Sequence, residues 1–184
     1  PIDNDIGNGM PERLGIWKEA AGQLKADSVT AEQIKPQIIK ITANAILPTV
    51  RCIYRNNYII YGSGDVIIET ALIPDNYRHL PELPRFGMQM AVPGRFDTVT
   101  WFGRGPHESY WDRKTSASVG LYSAPVEQQI HDYLRPQENG NKTDVRWLAL
   151  TDKDGVGILA VGMPLLSVSA WPYTMDMLQQ ARHI

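Results

Sequence analysis

The chain has 184 residues, of which 43% are hydrophobic, and its 18 Lys and Arg stand against 20 Asp and Glu, so the formal net charge is -2 at pH 7. A chain of this length buries about 70% of its unfolded surface, which suffices for one globular domain without disulfides. The near balance of charge, with no basic block, argues against a nucleic-acid or anionic membrane surface, and no apolar run approaches the ~20 residues of a membrane span.

The amino-terminal part of the chain predicts one helix. The first ten residues, PIDNDIGNGM, are polar and acidic and unlike a signal peptide. Over residues 11–26 an apolar stripe recurs three or four positions apart, at Leu14, Trp17, Ala21 and Leu24. This spacing predicts an amphipathic helix.

Strands dominate the next part. Alternating apolar residues predict strands over 38–46, 50–61 and 66–73. The Gly-Ser-Gly-Asp sequence at 62–65 predicts that the last two form a hairpin, because its glycines supply positive φ. The single cysteine, Cys52, lies in one of these strands, which favours a buried thiol over a nucleophile.

Two further hairpins are predicted. One has strands over 86–92 and 96–102 around Pro-Gly-Arg, and the other has strands over 145–151 and 156–161 around Asp-Lys-Asp-Gly. Three hairpins in one chain favour an all-β antiparallel sandwich. A short carboxy-terminal helix is predicted over 174–183.

The stretch WFGRGPHESYWDRK at 101–114 gathers residue types that are typical of active sites. It is no phosphate loop, because the closing Lys-Ser/Thr is absent, and it is no helical zinc motif, because His107 and Glu108 are followed by Ser-Tyr-Trp. No serine stands in a G-x-S-x-G elbow that could serve a triad with one of the four histidines. The interpretation favoured for Asp112 and Arg113 is a structural ion pair or turn contact.

A glycosidase site cannot be assigned from spacing. The two carboxylates of a retaining enzyme stand about 5 Å apart. The chain offers several acids that spacing alone cannot pair, namely Glu69, Glu108, Glu127 and Glu138.

Three motifs together carry a family resemblance. GRGPHESYWDRK at 103–114, PQENGNKTDVRW at 136–147 and DNDIG at 3–7 resemble, in order and spacing, the carboxy-terminal small-chain domain of the large β-galactosidases of glycoside hydrolase family two. The segments YGSGDVIIETALIP, RFGM and SVSAWPYTMDMLQQARH also follow the family's order. The resemblance therefore covers essentially the whole chain.

The resemblance implies a galactose mutarotase-like β-supersandwich, held in the parent enzyme against a (β/α)8 barrel. That barrel carries both catalytic glutamates of a retaining hydrolase of terminal β-D-galactosides, and no part of this chain corresponds to it. We therefore expect no hydrolysis by the chain alone, no catalytic or metal-binding residue and no cofactor in it, although parent enzymes of the family often use Mg and a monovalent cation. The implied partners are the remaining domains of the parent, a galactoside bound only in the full enzyme, and a further copy through self-association.

Relative to the family pattern, the chain begins partway through a WRAP-x-DND segment and stops at ARHI, before strands that carry a sugar-stacking tryptophan. A chain that starts at Pro1 is also typical of an excised piece. We therefore expect a truncated domain, with an exposed apolar patch and an open or intermolecularly paired sheet edge near its carboxy-terminal segment. Trp171 lies in an earlier strand and is interpreted as a core or interface aromatic.

The resemblance also implies roles for two groups of residues. The DNDIG segment precedes a loop at the rim of the catalytic pocket in the family, which predicts a substrate-rim role for Asp3, Asn4, Asp5 and Gly7. The other two motifs are predicted to brace a structural corner at a domain junction, through Gly105, Pro106, His107, Glu108, Tyr110, Asp112, Arg113, Glu138, Asn139 and Asp144.

A second function stays open at this point. The fold also suits a stand-alone mutarotase-like sugar epimerase or a carbohydrate-binding module, since fold does not give function. An epimerase needs a His and a Glu that converge in one cleft. A close pair between a glutamate and His107 or His131 would therefore favour it.

Overall fold

The structure, a computed structural model, describes residues 3–75, 79–134 and 136–181. Within these ranges the strands form two four-stranded antiparallel sheets, accompanied by three short helices. The predicted all-β fold class is confirmed. The chain divides into two compact units, the first being Asp3–Met88 and the second beginning at Gln89.

The first unit holds two helices and a sheet with strand order β1-β2-β3-β4. Its elements are α1 (Asp3–Gly7), α2 (Met10–Gly22), β1 (Ser28–Lys35), β2 (Ile38–Leu47), β3 (Cys52–Tyr61) and β4 (Val66–Pro74). The predicted strand over 38–46 and the β3–β4 hairpin are confirmed. Strand β1 was not predicted, since its side chains are exposed throughout and show no apolar alternation.

Helix α2 is shorter than predicted. It ends at Gly22, where the backbone N–H of Gln23 bonds back to the carbonyls of the last turn. The predicted stripe is therefore correct only in its first half: Leu14 is buried, whereas Leu24 lies past the helix and is exposed. The helix packs Trp17 against a core that includes the buried Cys52, as predicted for that thiol.

The second unit has strand order β6-β5-β7-β8. Its elements are β5 (Thr98–Gly105), β6 (Ser118–Pro125), a 3-10 turn (Val126–Gln129), β7 (Lys142–Thr151), β8 (Gly157–Val168) and α3 (Met175–Gln180). The β7–β8 hairpin is confirmed. Within the described residues β8 pairs only with β7 and so forms a sheet edge near the carboxy-terminal segment, where an open edge was expected.

The predicted hairpin of 86–92 with 96–102 is wrong. Residues 86–92 form no strand and are almost all exposed, while β5 pairs with β6 and β7 instead. The carboxy-terminal helix is confirmed over Met175–Gln180, where the Thr174 side chain accepts the N–H of Met177 as an N-cap. The end of the predicted helix, at 182–183, lies outside the described residues.

The core of the second unit explains the glycines of the GRG sequence. Trp101 and Val145 are fully buried in it, with Tyr122 packed alongside. A Cβ on Gly103 would lie 2.7 Å from a methyl of Val145, and one on Gly105 would lie 2.7 Å from the Tyr122 ring. These glycines therefore serve packing within β5 rather than a ligand.

No helix among the described residues is both long enough and apolar enough to cross a bilayer.

Candidate functional site

The residues predicted to line a substrate rim form a helix of their own. Asp3, Asn4, Asp5 and Gly7 lie in α1, which contributes no buried residue to the first unit. Gly9, with φ of 64°, separates α1 from α2. The rim role of these residues stays a prediction.

In the second unit, the two longer motifs meet in space. Ser109 follows β5 and Asn141 immediately precedes β7, and the two exchange bonds: Ser109 N–H donates to the Asn141 carbonyl at 2.7 Å, and Asn141 Nδ2 donates to the Ser109 carbonyl at 2.8 Å. The Ser109 hydroxyl also accepts the N–H of Thr143 at 3.0 Å. All three residues are buried, so the motifs are joined by satisfied internal hydrogen bonds.

Glu108 carries the charge at this junction. Its carboxylate accepts bonds from Arg113 Nη2 at 2.8 Å, from the backbone N–H of Gly140 at 2.8 Å and from the hydroxyl of Tyr133. Burial pushes the pKa of Glu108 upward, but the Tyr133 and Gly140 hydrogen bonds and the Arg113 charge outweigh burial and hold the pKa below its ordinary value. The carboxylate is therefore kept ionised.

Arg113 pairs with Glu108 and not with its neighbour Asp112, which is exposed. Its guanidinium also lies 4.6 Å from the centre of the Tyr110 ring, a cation–π contact. Burial and the negative charge of Glu108 raise the pKa of Tyr110 above the ordinary tyrosine range. Tyr110 therefore stays a neutral phenol in this cluster.

Lys142 lies buried beside the same carboxylate. Its Nζ donates to the Gly140 carbonyl at 3.1 Å and stands 5.2 Å from the centre of the Trp101 ring. Burial lowers the pKa of Lys142 to about 8, and the charge of Glu108 opposes that shift. Sequence reasoning missed this residue, since nothing in its local pattern distinguishes a buried lysine from a solvated one.

A second ion-pair network is centred on Asp144, near the start of β7. Asp144, at φ of 52°, pairs with Arg104 Nε at 2.5 Å and with Lys114 Nζ at 3.2 Å. Arg104 further donates to the carbonyls of Lys114 and Ala117. The hydrogen bond from Arg104 is the main cause that lowers the pKa of Asp144, with Lys114 adding to it against burial.

Asn139 organises the neighbouring loop. Its Oδ1 accepts the N–H of His131 at 3.2 Å, its Nδ2 donates to the carbonyl of Gln137 at 3.0 Å, and its own carbonyl accepts Trp171 Nε1 at 2.8 Å. Trp171 is partly buried and stacks on Tyr173. Glu138, between these anchored residues, is half-buried.

A cavity of about 350 Å³ opens beside this loop. Its lining includes His131, Tyr133, Gln137, Asn139, Tyr173 and Leu178. The polar groups of Asn139 and Tyr133 are already engaged by internal partners. The cavity is thus mainly a gap between aromatic and aliphatic side chains that the loop holds apart.

The two histidines that could serve an epimerase lie in different surroundings. His107 follows the cis peptide of Gly105 and Pro106, is exposed and hydrogen-bonds Ser116 at 3.1 Å. The ring of His131 packs edge-on against Tyr133, whose hydroxyl is the group that reaches Glu108. His131 lies near enough to help lower the pKa of Glu108, but within the described residues no hydrogen bond joins either histidine to a glutamate. The direct His–Glu pair that an epimerase needs is not formed, and the epimerase alternative is not favoured.

Among the residues that the structure describes, no three His, Cys, Asp or Glu side chains come together in a way that could hold a metal ion.

Comparison with known proteins extends the resemblance to the whole sequence. The family described as "Beta galactosidase small chain" matches residues 1–184. The chain is 39% identical to a β-galactosidase of Priestia megaterium (strain DSM 319 / IMG 1521) over 183 residues, which cover 98% of this chain and 17% of that protein. It is 34% identical to a Vibrio cholerae β-galactosidase and 31% identical to one of Lactobacillus delbrueckii subsp. bulgaricus, covering 99% and 98% of this chain and 18% of each relative. The chain thus spans less than a fifth of the length of these relatives.

Proposed function

Because the chain belongs to the β-galactosidase small-chain family, we propose that it serves as a non-catalytic part of a larger β-galactosidase. In that enzyme it helps to complete the rim of the active site and packs against the remaining domains or subunits. The parent hydrolyses terminal β-D-galactosides with retention, and both catalytic glutamates lie in a barrel outside this chain. The α1 residues Asp3, Asn4, Asp5 and Gly7 contribute to the rim by positioning.

The observation that carries this proposal is the share of each protein that matches. Nearly all of this chain aligns with less than a fifth of each relative, and all three relatives are named as β-galactosidases. The junction chemistry supports a structural role. The carboxylates of Glu108 and Asp144 are both engaged by internal cations and donors.

A segment replacement tests the proposal. The part of the Priestia megaterium enzyme that aligns with this chain is replaced by the chain, giving a segment-swapped enzyme, and the same part is deleted in a reference protein. We expect the segment-swapped enzyme to hydrolyse a chromogenic β-galactoside at least tenfold faster than the deletion. A soluble segment-swapped enzyme that is no faster than the deletion would overturn the proposal.

A further inference from the structure

The second sheet has apolar side chains on both of its faces. One face forms the core around Trp101 and Leu148. The opposite face, called here the outer face, is built from cross-strand neighbours: Phe102 pairs with Leu121 on one side and with Trp147 on the other, and Trp147 pairs with Val161. These four residues form one row across all four strands.

Further apolar residues extend that row along the strands. Strand β8 places Leu159 and Met163 on either side of Val161, and β6 places Val119 two positions from Leu121. Leu121 is 66% exposed, Val161 is 61% exposed and Met163 is 80% exposed. The outer face is therefore defined by Phe102, Leu121, Trp147 and Val161 with Val119, Leu159 and Met163 around them.

An antiparallel sheet with one face in a core ordinarily alternates apolar residues inward with polar residues outward. Here the next row carries only Ser123, Thr100 and Ala149 before it reaches Leu159. Two charged side chains border this surface. The guanidinium of Arg146 lies 5.5 Å from the centre of the Phe102 ring, and Arg104, the cross-strand partner of Val119, is ion-paired with Asp144. A contiguous apolar surface of this kind marks a contact site.

The size of the outer face indicates what covers it. The part of the sheet that carries the outer face has four strands about 4.8 Å apart with three outward positions about 6.8 Å apart on each, polar positions included, and spans roughly 400 Å². A stable complex of separate proteins buries about 800 Å² on each partner, whereas contacts between domains of one chain bury about 300–750 Å² on each side. The area suits a contact within one polypeptide better than a free-standing dimer.

We propose that the outer face of the second sheet is the surface on which this chain docks an apolar face of the remaining β-galactosidase polypeptide. The inference rests on the proposed function, and it takes its partner from the more than four-fifths of each relative that lies outside the match. Tethering within one chain compensates for the small area, because the partner is held at high effective concentration.

The test places lysines on the outer face of the segment-swapped enzyme. Leu121→Lys and Val161→Lys, singly and together, bury a charge against an apolar partner if the proposal is right. The matched control is Leu134→Lys, the same exchange at a loop position that is 99% exposed. We expect the double variant to lose at least tenfold in hydrolysis and several degrees in melting temperature, and the control to match the parent within error.

The melting temperature of the isolated chain distinguishes a loss of docking from a loss of folding stability. There the lysines lie in water, so its melting temperature is expected to change little. If the lysine substitutions lower the melting temperature of the isolated chain, the milder pair Leu121→Thr and Val161→Thr is measured in the segment-swapped enzyme. A loss of hydrolysis relative to Leu134→Thr then supports the proposal.

Two results would overturn the docking surface while the proposed function stands. One is a segment-swapped enzyme that is active and indifferent to both the lysine and the threonine pairs. The other is an isolated chain that forms a dimer in sedimentation and is dissociated by Leu121→Lys, which assigns the face to a second copy. A segment-swapped enzyme that is inactive before any substitution refutes the proposed function itself.

Discussion

The carboxylate of Glu108 accepts the backbone N–H of Gly140 at 2.8 Å, although 32 positions separate the two residues. This bond ties the loop after β5 to the loop before β7, and the cations and hydroxyls around it are arranged to keep the carboxylate charged. The junction has the features of a structural brace, and its energetics can be measured.

Replacing Glu108 with Gln removes the charge while keeping the size of the side chain. We expect the free energy of unfolding to fall by about 1–3 kcal/mol at pH 7, because a hydrogen-bonded charge is lost. Since the folded pKa of Glu108 lies below its ordinary value, its stabilisation is present above the unfolded pKa of about 4.3 and disappears as pH falls through the lower folded value. Urea unfolding from pH 7 to pH 3 should therefore show the two proteins converging.

Asp154→Asn is the matched carboxylate-to-amide control. Among the described residues its carboxylate forms an ion pair only with Lys153, and both side chains are exposed. An exposed pair of this kind contributes less than about 1 kcal/mol. A Glu108→Gln loss no larger than that of the control, or one that persists unchanged at pH 3, would contradict the brace.

Gly140 should tolerate no side chain. Its φ is 72°, and an added Cβ would lie closer to the Gln129 carbonyl oxygen than van der Waals contact allows. Gly140→Ala is expected to cost more than about 3 kcal/mol, the sum of backbone strain of about 1 kcal/mol and a clash with rigid backbone.

Gly155→Ala measures the cost of backbone strain without a steric clash. Gly155 has a similar φ of 77°, but an added Cβ meets no atom within 4 Å. We expect a cost of about 1 kcal/mol in urea unfolding. Equal costs at the two positions would show that the loop around Gly140 relaxes freely.

The buried Lys142 makes the free energy of unfolding depend on pH in the alkaline range. Its folded pKa of about 8 lies below the unfolded value of about 10.4, so between these values the unfolded chain binds more protons and stability rises with pH. The burial penalty is present in full below about pH 8 and is relieved by about pH 10.4. Relative to Lys142→Met, the free energy of unfolding of the wild type should rise by about 2–3 kcal/mol between pH 7 and pH 10.5.

Lys153→Met provides the comparison, because the Lys153 side chain is 86% exposed. Its difference from the wild type should stay flat over the same pH range. Parallel pH curves for Lys142→Met and Lys153→Met would mean that Lys142 is solvated in solution.

Local signals account for the parts of the fold that were predicted correctly. The β3–β4 hairpin follows from apolar alternation around a Gly-Ser-Gly-Asp turn, and both features lie in one continuous stretch, residues 52–74. Residues 86–92 show a similar apolar alternation yet remain unpaired, because β6 and β7 occupy both sides of β5. Strand β1 was missed for the opposite reason: its exposed sequence lacks alternation, and its pairing with β2 defines it.

The sequence predicts which motifs form the site, but not which of their residues contact one another. The resemblance singled out Glu108, Arg113 and Asp144, and all three are engaged in ion pairs. The interpretation of Asp112 and Arg113 as an ion pair or a turn contact fits the structure: Arg113 forms an ion pair with Glu108, and Tyr110 and Arg113 exchange backbone hydrogen bonds around the turn that holds Asp112. Ser109 and Lys142 escaped prediction because their burial depends on which loops meet, and a single sequence does not contain that information.

The central claim is that these 184 residues carry no galactosidase chemistry of their own, and the most direct measurement is hydrolysis by the isolated chain. The purified chain, shown by circular dichroism to be folded, is incubated with a chromogenic β-galactoside, with the Priestia megaterium enzyme as the positive control. The account predicts a rate equal to the buffer blank, because glycoside hydrolysis needs a pair of carboxylates that the proposed function places outside this chain. A rate above the blank that survives purification and is abolished by substituting an acidic residue of this chain would contradict it.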